Sequence, residues 1–197
     1  MEALDINSIA DKFGETVKTL QLTSDNEKIL RSISDIVEVC VTALNSENKI
    51  MFMGNGGSAA DSQHLAAELV SRFEFDRPGL SALALTTDTS ALTAIGNDYG
   101  YQRLFSRQIE AVGKKGDVLF GFSTSGDSEN IILGLQSARK KGITTIGMTG
   151  NKKGEICNNA DFLIEVPSAN TARIQEGHIV TGHIICGLIE QIIFDNK

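Results

Sequence analysis

Apolar residues follow two different spacings along the chain. In residues 3–21 and 26–47 they recur three and four positions apart, which predicts two amphipathic helices. Five later apolar runs are too short for helices and predict strands over 50–53, 82–85, 118–122, 145–148 and 162–166. Helix-length stretches separate most of these runs, and a long helix over about 172–194 closes the chain. This alternation predicts an α/β fold with a doubly wound, five-stranded parallel sheet flanked by helices.

The size and composition of the chain fit one soluble globular domain. It has 197 residues, of which 41% are hydrophobic and 22% are charged. The acidic start lacks a positively charged segment followed by an apolar core, so we expect no signal peptide and a cytoplasmic location. The apolar segment from Ile179 to Phe194 contains His183, Glu190 and Gln191, which predicts a buried helix and not a membrane span.

Charge and cysteine content narrow the function classes. The net charge of −7 argues against a nucleic-acid-binding surface, because phosphate backbones attract a basic field. The three cysteines, Cys40, Cys157 and Cys186, are odd in number and far apart, which is typical of neither a disulfide framework nor a zinc knuckle. Catalytic or ligand-binding residues are expected beyond the carboxyl ends of the strands, where open parallel sheets bind their ligands.

Two loops after predicted strands have the composition of a phosphate site. The first strand runs into Gly54-Asn55-Gly56-Gly57-Ser58, a glycine loop before a helix, where backbone N–H groups can approach a ligand closely. This loop matches neither the dinucleotide-binding nor the Walker pattern. The third strand ends in Ser123-Thr124-Ser125-Gly126-Asp127-Ser128, which has more hydroxyls than helix capping requires. Neutral donors of this kind suit a phosphate monoester. The alternative interpretations are a plain tight turn for the glycine loop and a helix cap with additional hydroxyls for the serine loop.

Two predicted helices carry candidate metal ligands or acid–base groups. His64 and Glu68 are four residues apart, so they share one face of the helix after the glycine loop. On the last helix, Gln175 and His183 lie about 80° apart and two turns along, so both can face one cavity. His178 lies about 140° from His183 and cannot join it. The pairs suit metal binding or proton transfer, but a surface contact and a core histidine are the ordinary alternatives.

The glycine and serine loops together resemble those of the sugar isomerase (SIS) family of phosphosugar-binding domains. The matching motifs are G-N-G-G-S at 54–58 and S-T-S-G-x-S at 123–128. The resemblance covers roughly residues 35–195. It implies an N-terminal helical extension, residues 1–34, followed by a phosphosugar-binding domain, residues 35–197.

The set His64, Glu68, Gln175 and His183 resembles the metal site of the bacterial phosphoheptose isomerases within that family. The resemblance implies an isomerase that converts D-sedoheptulose 7-phosphate to D-glycero-D-manno-heptose 7-phosphate, a step towards the heptose of lipopolysaccharide. It also implies one zinc ion per subunit on these four residues. Glu68 is then the base between C1 and C2, and His183 is its acid–base partner. Because a zinc-bound carboxylate is a poorer base, a zinc-assisted and a metal-free mechanism both stay open.

The same resemblance implies which residues contact the substrate. The implied sugar contacts are Asn55, Gly56, Gly57, Glu68, Asn97, Asp98 and Gln175, and the implied phosphate contacts are Ser123, Thr124, Ser125 and Ser128. Asn97 and Asp98 equally fit a turn after a helix, because both residue types favour turns. Asp61 and Arg72, on or next to the same helix as Glu68, could also contact the substrate, but they are not assigned to the site.

Several other functions are alternatives to this one. Some members of the family are adaptors that bind the replication initiator protein and lack the active-site Glu and His, whereas this sequence keeps Glu68 and His183. Phosphosugar sensors usually add a DNA-binding helix-turn-helix, for which about 35 acidic N-terminal residues are too few. An isomerase for another ketose phosphate is the nearest enzymatic alternative. Family members usually form homotetramers with sites at subunit interfaces, which the apolar first and last helices allow.

Overall fold

The computed structural model describes residues 5–152 and 154–194 as an alternation of helices and strands. The helices are α1 (Ile6–Ser24), α2 (Glu27–Asn45), α3 (Gly57–Val70), α4 (Thr89–Tyr99), α5 (Leu104–Val112), α6 (Glu129–Lys140), α7 (Ile156–Asn159) and α8 (Thr171–Phe194). The strands are β1 (Ile50–Gly54), β2 (Ala82–Ala84), β3 (Val118–Phe122), β4 (Thr144–Gly150) and β5 (Phe162–Val166). A short 3-10 helix, Tyr101–Arg103, follows α4. The predicted strands and helices are confirmed, although residues 3 and 4 of the first predicted helix lie outside the described residues.

The strand order places the two candidate loops side by side. The five strands of the described chain are parallel and lie in the order β2-β1-β3-β4-β5, as the predicted sheet requires. From β1 the chain crosses to β2 on one side, and from β2 it returns to β3 on the other side of β1. The direction of winding reverses between β1 and β3, and open α/β sheets bind ligands at such a point. The glycine loop follows β1 and the serine loop follows β3, so both lie at this point.

Strand β1 shows why the apolar runs are uninterrupted. Ile50 and Phe52 pack with buried residues of α2, α3 and α8 on one face of the sheet. Met51 and Met53 pack on the other face, with buried residues of α5 and α6. Because helices cover both faces, both sides of a strand with a period of two must be apolar.

Helix α8 approaches α3 closely at a glycine. A Cβ at Gly182 would lie 2.6 Å from Leu65 Cδ1, so a larger residue would push Leu65 out of its place in the core. This approach places the next residue, His183, beside α3. Among the described residues α8 is the one helix long and apolar enough to cross a membrane, but half of its most apolar window is buried within the fold. It is a core helix, as its polar residues predict.

Helix α1 is fastened to the start of α8 and leaves an apolar face uncovered. Arg173 Nη1 lies 3.3 Å from Glu15 Oε2, which joins the two helices. The opposite side of α1 exposes Ile6, Phe13 and Val17 to solvent. The predicted boundary between residues 34 and 35 lies within α2, and the division into an extension and a domain stays a prediction.

His178 is a buried core residue of α8. Its Nε2 atom lies 3.2 Å from the carbonyl oxygen of Thr149, and its ring meets the ring of Phe122 edge-on at 5.7 Å. Desolvation lowers the pKa of His178 to about 4, although the hydrogen bond to Thr149 acts in the opposite direction. The imidazole is therefore neutral in the folded protein at neutral pH.

The burial of His178 predicts a loss of stability in mild acid. Its pKa is 6.5 when unperturbed and about 4 in the fold, so between these values the unfolded chain binds the extra proton. Stability from this residue is complete above pH 6.5 and falls by about 3 kcal/mol on acidification to about pH 4. Urea unfolding of wild type and His178→Phe across this range measures the effect. The variant should show a flatter pH dependence, and two parallel curves would contradict the prediction.

Candidate active site

The helix that follows the glycine loop begins without a side-chain cap. β1 ends at Gly54 and α3 begins at Gly57, with Gly56 as its N-cap at a φ of +57°. Aspartate or asparagine side chains cap α1, α2 and α4, whereas no side chain caps α3. An uncapped helix start carries a partial positive charge and attracts anions. The glycine loop thus has the geometry of an anion site.

The serine loop between β3 and α6 is built around the hydroxyl of Ser123. Ser123 is buried, and its Oγ accepts from the backbone N–H groups of Gly126 at 3.2 Å and Ser128 at 3.4 Å. It also donates to Ser128 Oγ at 3.0 Å. Ser128 is the N-cap of α6 but makes no capping hydrogen bond with its side chain, so this helix start is open as well. Ser125 is exposed, and Thr124 is half-buried.

A pair of asparagines joins the two loops. Asn55 Nδ2 donates to Asn130 Oδ1 at 2.9 Å, and Asn130 Nδ2 donates to Asn55 Oδ1 at 2.8 Å. The hydroxyl of Tyr101 also donates to Asn55 Oδ1, at 2.8 Å. Sequence reasoning missed Asn130 and Tyr101. The signal for Asn130 was its place directly after the hydroxyl-rich loop, whereas Tyr101 had no comparable signal.

Three of the four predicted metal ligands meet between α3 and α8. His64 Nε2 lies 2.8 Å from His183 Nε2 and 3.2 Å from Glu68 Oε1. The candidate ligand atoms of the three residues all lie within 4.8 Å of one another. His64 is exposed, and the other two side chains are half-buried, so the cluster opens to solvent.

The cluster has the spacing of a metal site. Two ligands about 2.1 Å from one zinc ion lie about 3.4 Å apart at the tetrahedral angle, slightly more than the two distances from His64 Nε2. The single N–H at His64 Nε2 cannot donate well to His183 and Glu68 at once, so hydrogen bonding alone explains these two short contacts poorly. Two imidazoles and one carboxylate therefore form a group that could hold a metal ion.

The fourth predicted ligand, Gln175, lies against the glycine loop. A Cβ at Gly57 would lie 2.7 Å from Gln175 Nε2, so the absence of a side chain at Gly57 makes room for the amide. Gln175 is thus brought to the predicted sugar-contacting residues at the start of α3.

Comparison with known proteins identifies the family. The model of the SIS domain matches residues 13–150. The phosphoheptose isomerase of Burkholderia pseudomallei (strain 1710b) is 52% identical over 197 residues, which is 100% of both chains. The chain belongs to the phosphoheptose isomerases of the SIS domain family. The family predicted from the sequence is therefore confirmed.

Solved structures of phosphoheptose isomerases share the fold. The enzyme from Neisseria gonorrhoeae is 41% identical, with a TM-score of 0.88, over 94% of this chain and 98% of that one. The enzyme from Francisella tularensis is 33% identical, with a TM-score of 0.91, over 96% and 100%. The predicted fold class, a parallel sheet flanked by helices, is confirmed by both.

Two of the sugar contacts implied for this family lie at the end of α4. Asn97 and Asp98 belong to the last turn of the helix and not to a turn after it. Both are exposed, and Asn97 Nδ2 donates to Asp98 Oδ1 at 2.8 Å. Tyr101, which follows α4, binds Asn55 and so ties this end of the helix to the glycine loop. Contact of Asn97 and Asp98 with the sugar stays a prediction.

Asp61 is a polar residue beside the cluster that sequence reasoning did not assign to the site. Its Oδ2 atom is buried and has no hydrogen-bond partner among the described residues. Burial raises the pKa of the Asp61 carboxyl, and the neighbouring His64 acts in the opposite direction. Asp61 precedes His64 by three residues and shares its face of α3. An unpaired buried oxygen at this place suits a hydroxyl donor.

Proposed function

We propose that this chain is an aldose–ketose isomerase that converts D-sedoheptulose 7-phosphate to D-glycero-D-manno-heptose 7-phosphate. The observation that carries the proposal is the cluster of His64, Glu68 and His183. His64 lies about two turns into the helix that begins at the glycine loop, and His183 meets it from α8. The open helix starts offer a place for a phosphate, and the cluster offers acid–base groups. The relative from Burkholderia pseudomallei, named phosphoheptose isomerase, supports this substrate. The cluster also argues against a non-catalytic adaptor.

The proposed reaction moves two hydrogens within the sugar. Glu68 removes a proton from C1 of the ketose, which leaves an enediolate over C1 and C2. The protonated Glu68 then returns this proton to C2. His183 moves the hydroxyl proton from O1 to O2, so the product is the aldose and no oxidant is needed.

We propose zinc as the metal, with one ion per subunit held by His64, Glu68, Gln175 and His183. Imidazole and carboxylate are ordinary zinc ligands, whereas a glutamine amide is an uncommon one. When bound, zinc supplies a Lewis acid that stabilises negative charge on the enediolate oxygens. A carboxylate held tightly by zinc is a weaker base, so Glu68 serves both roles best as a loose ligand.

The phosphate is proposed to lie on the serine loop. Thr124, Ser125 and Ser128 are at least partly exposed residues, and a hydroxyl can donate to a phosphate oxygen. Ser123 is buried, and its hydroxyl already holds the N–H groups of Gly126 and Ser128. Its proposed contribution to phosphate binding is therefore to shape the loop.

We also propose a homotetramer with active sites at the subunit interfaces. Ile6, Phe13 and Val17 on α1, and Ile184 and Leu188 on α8, are apolar and exposed in the single chain, which supports burial by other subunits. A cytoplasmic location and a role in supplying lipopolysaccharide heptose accompany the proposed substrate. No nucleic acid or membrane is proposed as a partner.

A direct assay tests the proposed function. The purified protein is incubated with sedoheptulose 7-phosphate, and the aldose is followed by NMR before and after treatment with a chelator. We expect conversion by the untreated enzyme, loss of activity after chelation, and recovery on addition of zinc. No conversion by the zinc-loaded enzyme would refute the proposal. Activity unaffected by complete metal removal would remove zinc from the mechanism and leave the Glu68–His183 pair.

Substitution of Gly57 tests the place of Gln175 in the proposed metal site. In Gly57→Ala the new methyl group displaces the Gln175 amide, and we expect zinc affinity to fall about tenfold. Alanine favours a helix, so stability should be unchanged or rise by up to about 1 kcal/mol. Zinc competition with a chromogenic chelator and thermal unfolding measure the two quantities. The control is Gly14→Ala, where the new Cβ meets open space. Unchanged zinc affinity in Gly57→Ala would contradict the assignment of Gln175.

A further inference from the structure

Residues 71–77, the segment after α3, are joined to α8 by a buried ion pair. Arg77 Nε lies 2.8 Å from Glu190 Oε1, and the two side chains are 2% and 0% exposed. Burying two charges costs desolvation free energy, and their mutual attraction often does no more than offset this cost. A buried ion pair is therefore weak evidence of a gain in stability. Its other contacts indicate what it does.

Glu190 holds the segment by its backbone. Glu190 Oε1 accepts from the N–H of Phe73 at 3.1 Å, and Oε2 accepts from the N–H of Glu74 at 2.7 Å. Burial by itself would raise the pKa of the Glu190 carboxyl, but these two N–H donors and Arg77 outweigh it and keep the pKa below its ordinary value. The carboxylate stays ionised and holds the backbone of Phe73, three residues after the end of α3.

Arg77 closes the carboxyl-terminal end of α3. Its Nη1 donates to the carbonyl oxygens of Leu69 at 2.7 Å and Ser71 at 2.9 Å, and its Nη2 donates to that of Glu68 at 2.8 Å. The last turn of α3 has no basic residue of its own. A helix end leaves carbonyls without partners and carries a partial negative charge, and the guanidinium satisfies both. One of these carbonyls belongs to Glu68 itself.

The same segment places an aromatic ring on the second catalytic candidate. The ring of Phe73 stacks on the ring of His183, with centroids 5.5 Å apart and an interplanar angle of 26°. The backbone of Phe73 is held by Glu190, which lies two turns beyond His183 on α8. The Arg77–Glu190 pair therefore contacts two backbones. Arg77 binds the carbonyl of Glu68, and Glu190 binds the N–H of Phe73, whose ring packs on His183.

We infer that Arg77 and Glu190 are positioning residues that set Glu68 and His183 against each other across the gap between α3 and α8. Phe73 transmits the effect to His183. The inference rests on the proposed function, because it concerns the same two acid–base groups. Proton transfer and shared metal binding both depend on the relative placement of these groups, whereas the serine loop lies on other elements. The pair should thus affect kcat and zinc affinity and spare KM.

A matched control lies at the amino-terminal ends of the strands, directly before β3. Asp117 is buried and accepts from two backbone N–H groups, those of Lys49 and Lys114, and from the ammonium of Lys49. Glu190 has the same set of partners, two backbone N–H groups and one cation. Asp117→Asn and Glu190→Gln thus remove the same charge from a buried carboxylate with the same kinds of partner, one before β3 and one beside the catalytic candidates.

The experiment compares kcat, KM, zinc affinity and unfolding for wild type, Glu190→Gln, Arg77→Lys and Asp117→Asn at a temperature where all are folded. We expect Glu190→Gln and Arg77→Lys to lower kcat and zinc affinity by about 10- to 100-fold with KM within about threefold. Asp117→Asn should lose stability without these changes. Wild-type kcat and zinc affinity in Glu190→Gln, or equal losses in Asp117→Asn, would overturn the inference.

Variants of Phe73 test the same inference without touching the ion pair. Phe73→Tyr keeps a ring on His183 and should retain the wild-type kcat, whereas Phe73→Leu should lower kcat about tenfold. Equal rates in the two variants would show that the ring does not support His183. An inactive wild-type enzyme that also fails to bind zinc would refute the proposed function and this inference together. An active wild type with an unaffected Glu190→Gln would refute the inference alone.

Discussion

Glu68→Gln is expected to lower kcat by about a thousandfold and to leave KM within about threefold of the wild-type value. Glutamine has the shape of glutamate but cannot accept a proton from carbon at neutral pH. Glu68 is half-buried, and its backbone is held by Arg77, so the amide should take the place of the carboxylate without disturbing α3. The proposed phosphate contacts lie on the serine loop, which the substitution does not reach. The loss is therefore expected mainly in kcat, and weaker zinc binding contributes to it, because Glu68 is also a proposed zinc ligand.

Initial rates with sedoheptulose 7-phosphate measure this prediction, and circular dichroism checks that the variant is folded. Glu38→Gln is the control, because Glu38 is exposed on α2 and the change removes the same charge. His183→Gln should also lose most of kcat, since it removes the partner that moves the hydroxyl proton. A Glu68→Gln enzyme within tenfold of the wild-type kcat would exclude Glu68 as the base.

The fold could be predicted from the sequence because its signals are local. The run at 50–53 is apolar on every residue since helices cover both faces of the sheet, and the loops that end β1 and β3 have distinctive compositions. His64 and Glu68 could be paired because four residues make about one helical turn. Gln175 and His183 gained meaning only through the resemblance to a family, because they lie on a helix more than 100 residues away.

Other parts of the site carry no local signal. Arg77 and Glu190 are 113 residues apart, and each alone looks like an ordinary surface charge. The exchange of hydrogen bonds between Asn55 and Asn130 likewise depends on two strands that become neighbours only in the sheet. The direction of a hydroxyl within a loop is also set by tertiary structure. The sequence therefore predicts the same phosphate contact for Ser123 as for Thr124, Ser125 and Ser128, whereas the structure shows that Ser123 is buried.

Gly126→Ala is expected to raise KM at least tenfold and to destabilise the protein, with a smaller effect on kcat. Gly126 has a φ of +79°, which costs an alanine about 1–2 kcal/mol. Its new Cβ would lie 2.8 Å from the backbone nitrogen of Gly154, an atom that cannot turn aside as a side chain can. The N–H of Gly126 donates to Ser123, and its carbonyl accepts from Ile156. The serine loop must therefore move, and with it the hydroxyls proposed to hold the phosphate.

Gly142→Ala separates backbone strain from damage to the serine loop. Gly142 has a similar φ, +71°, but lies in the turn before β4. This turn is at the amino-terminal ends of the strands, whereas the serine loop is at their carboxyl ends. The three atoms nearest to its new Cβ all belong to the side chain of Lys115, the first at 3.1 Å. Urea unfolding should show a loss of about 1–2 kcal/mol in Gly142→Ala, with KM unchanged. A rise in KM that is equal in the two variants would mean that general destabilisation explains it. A wild-type KM in Gly126→Ala would place the phosphate elsewhere.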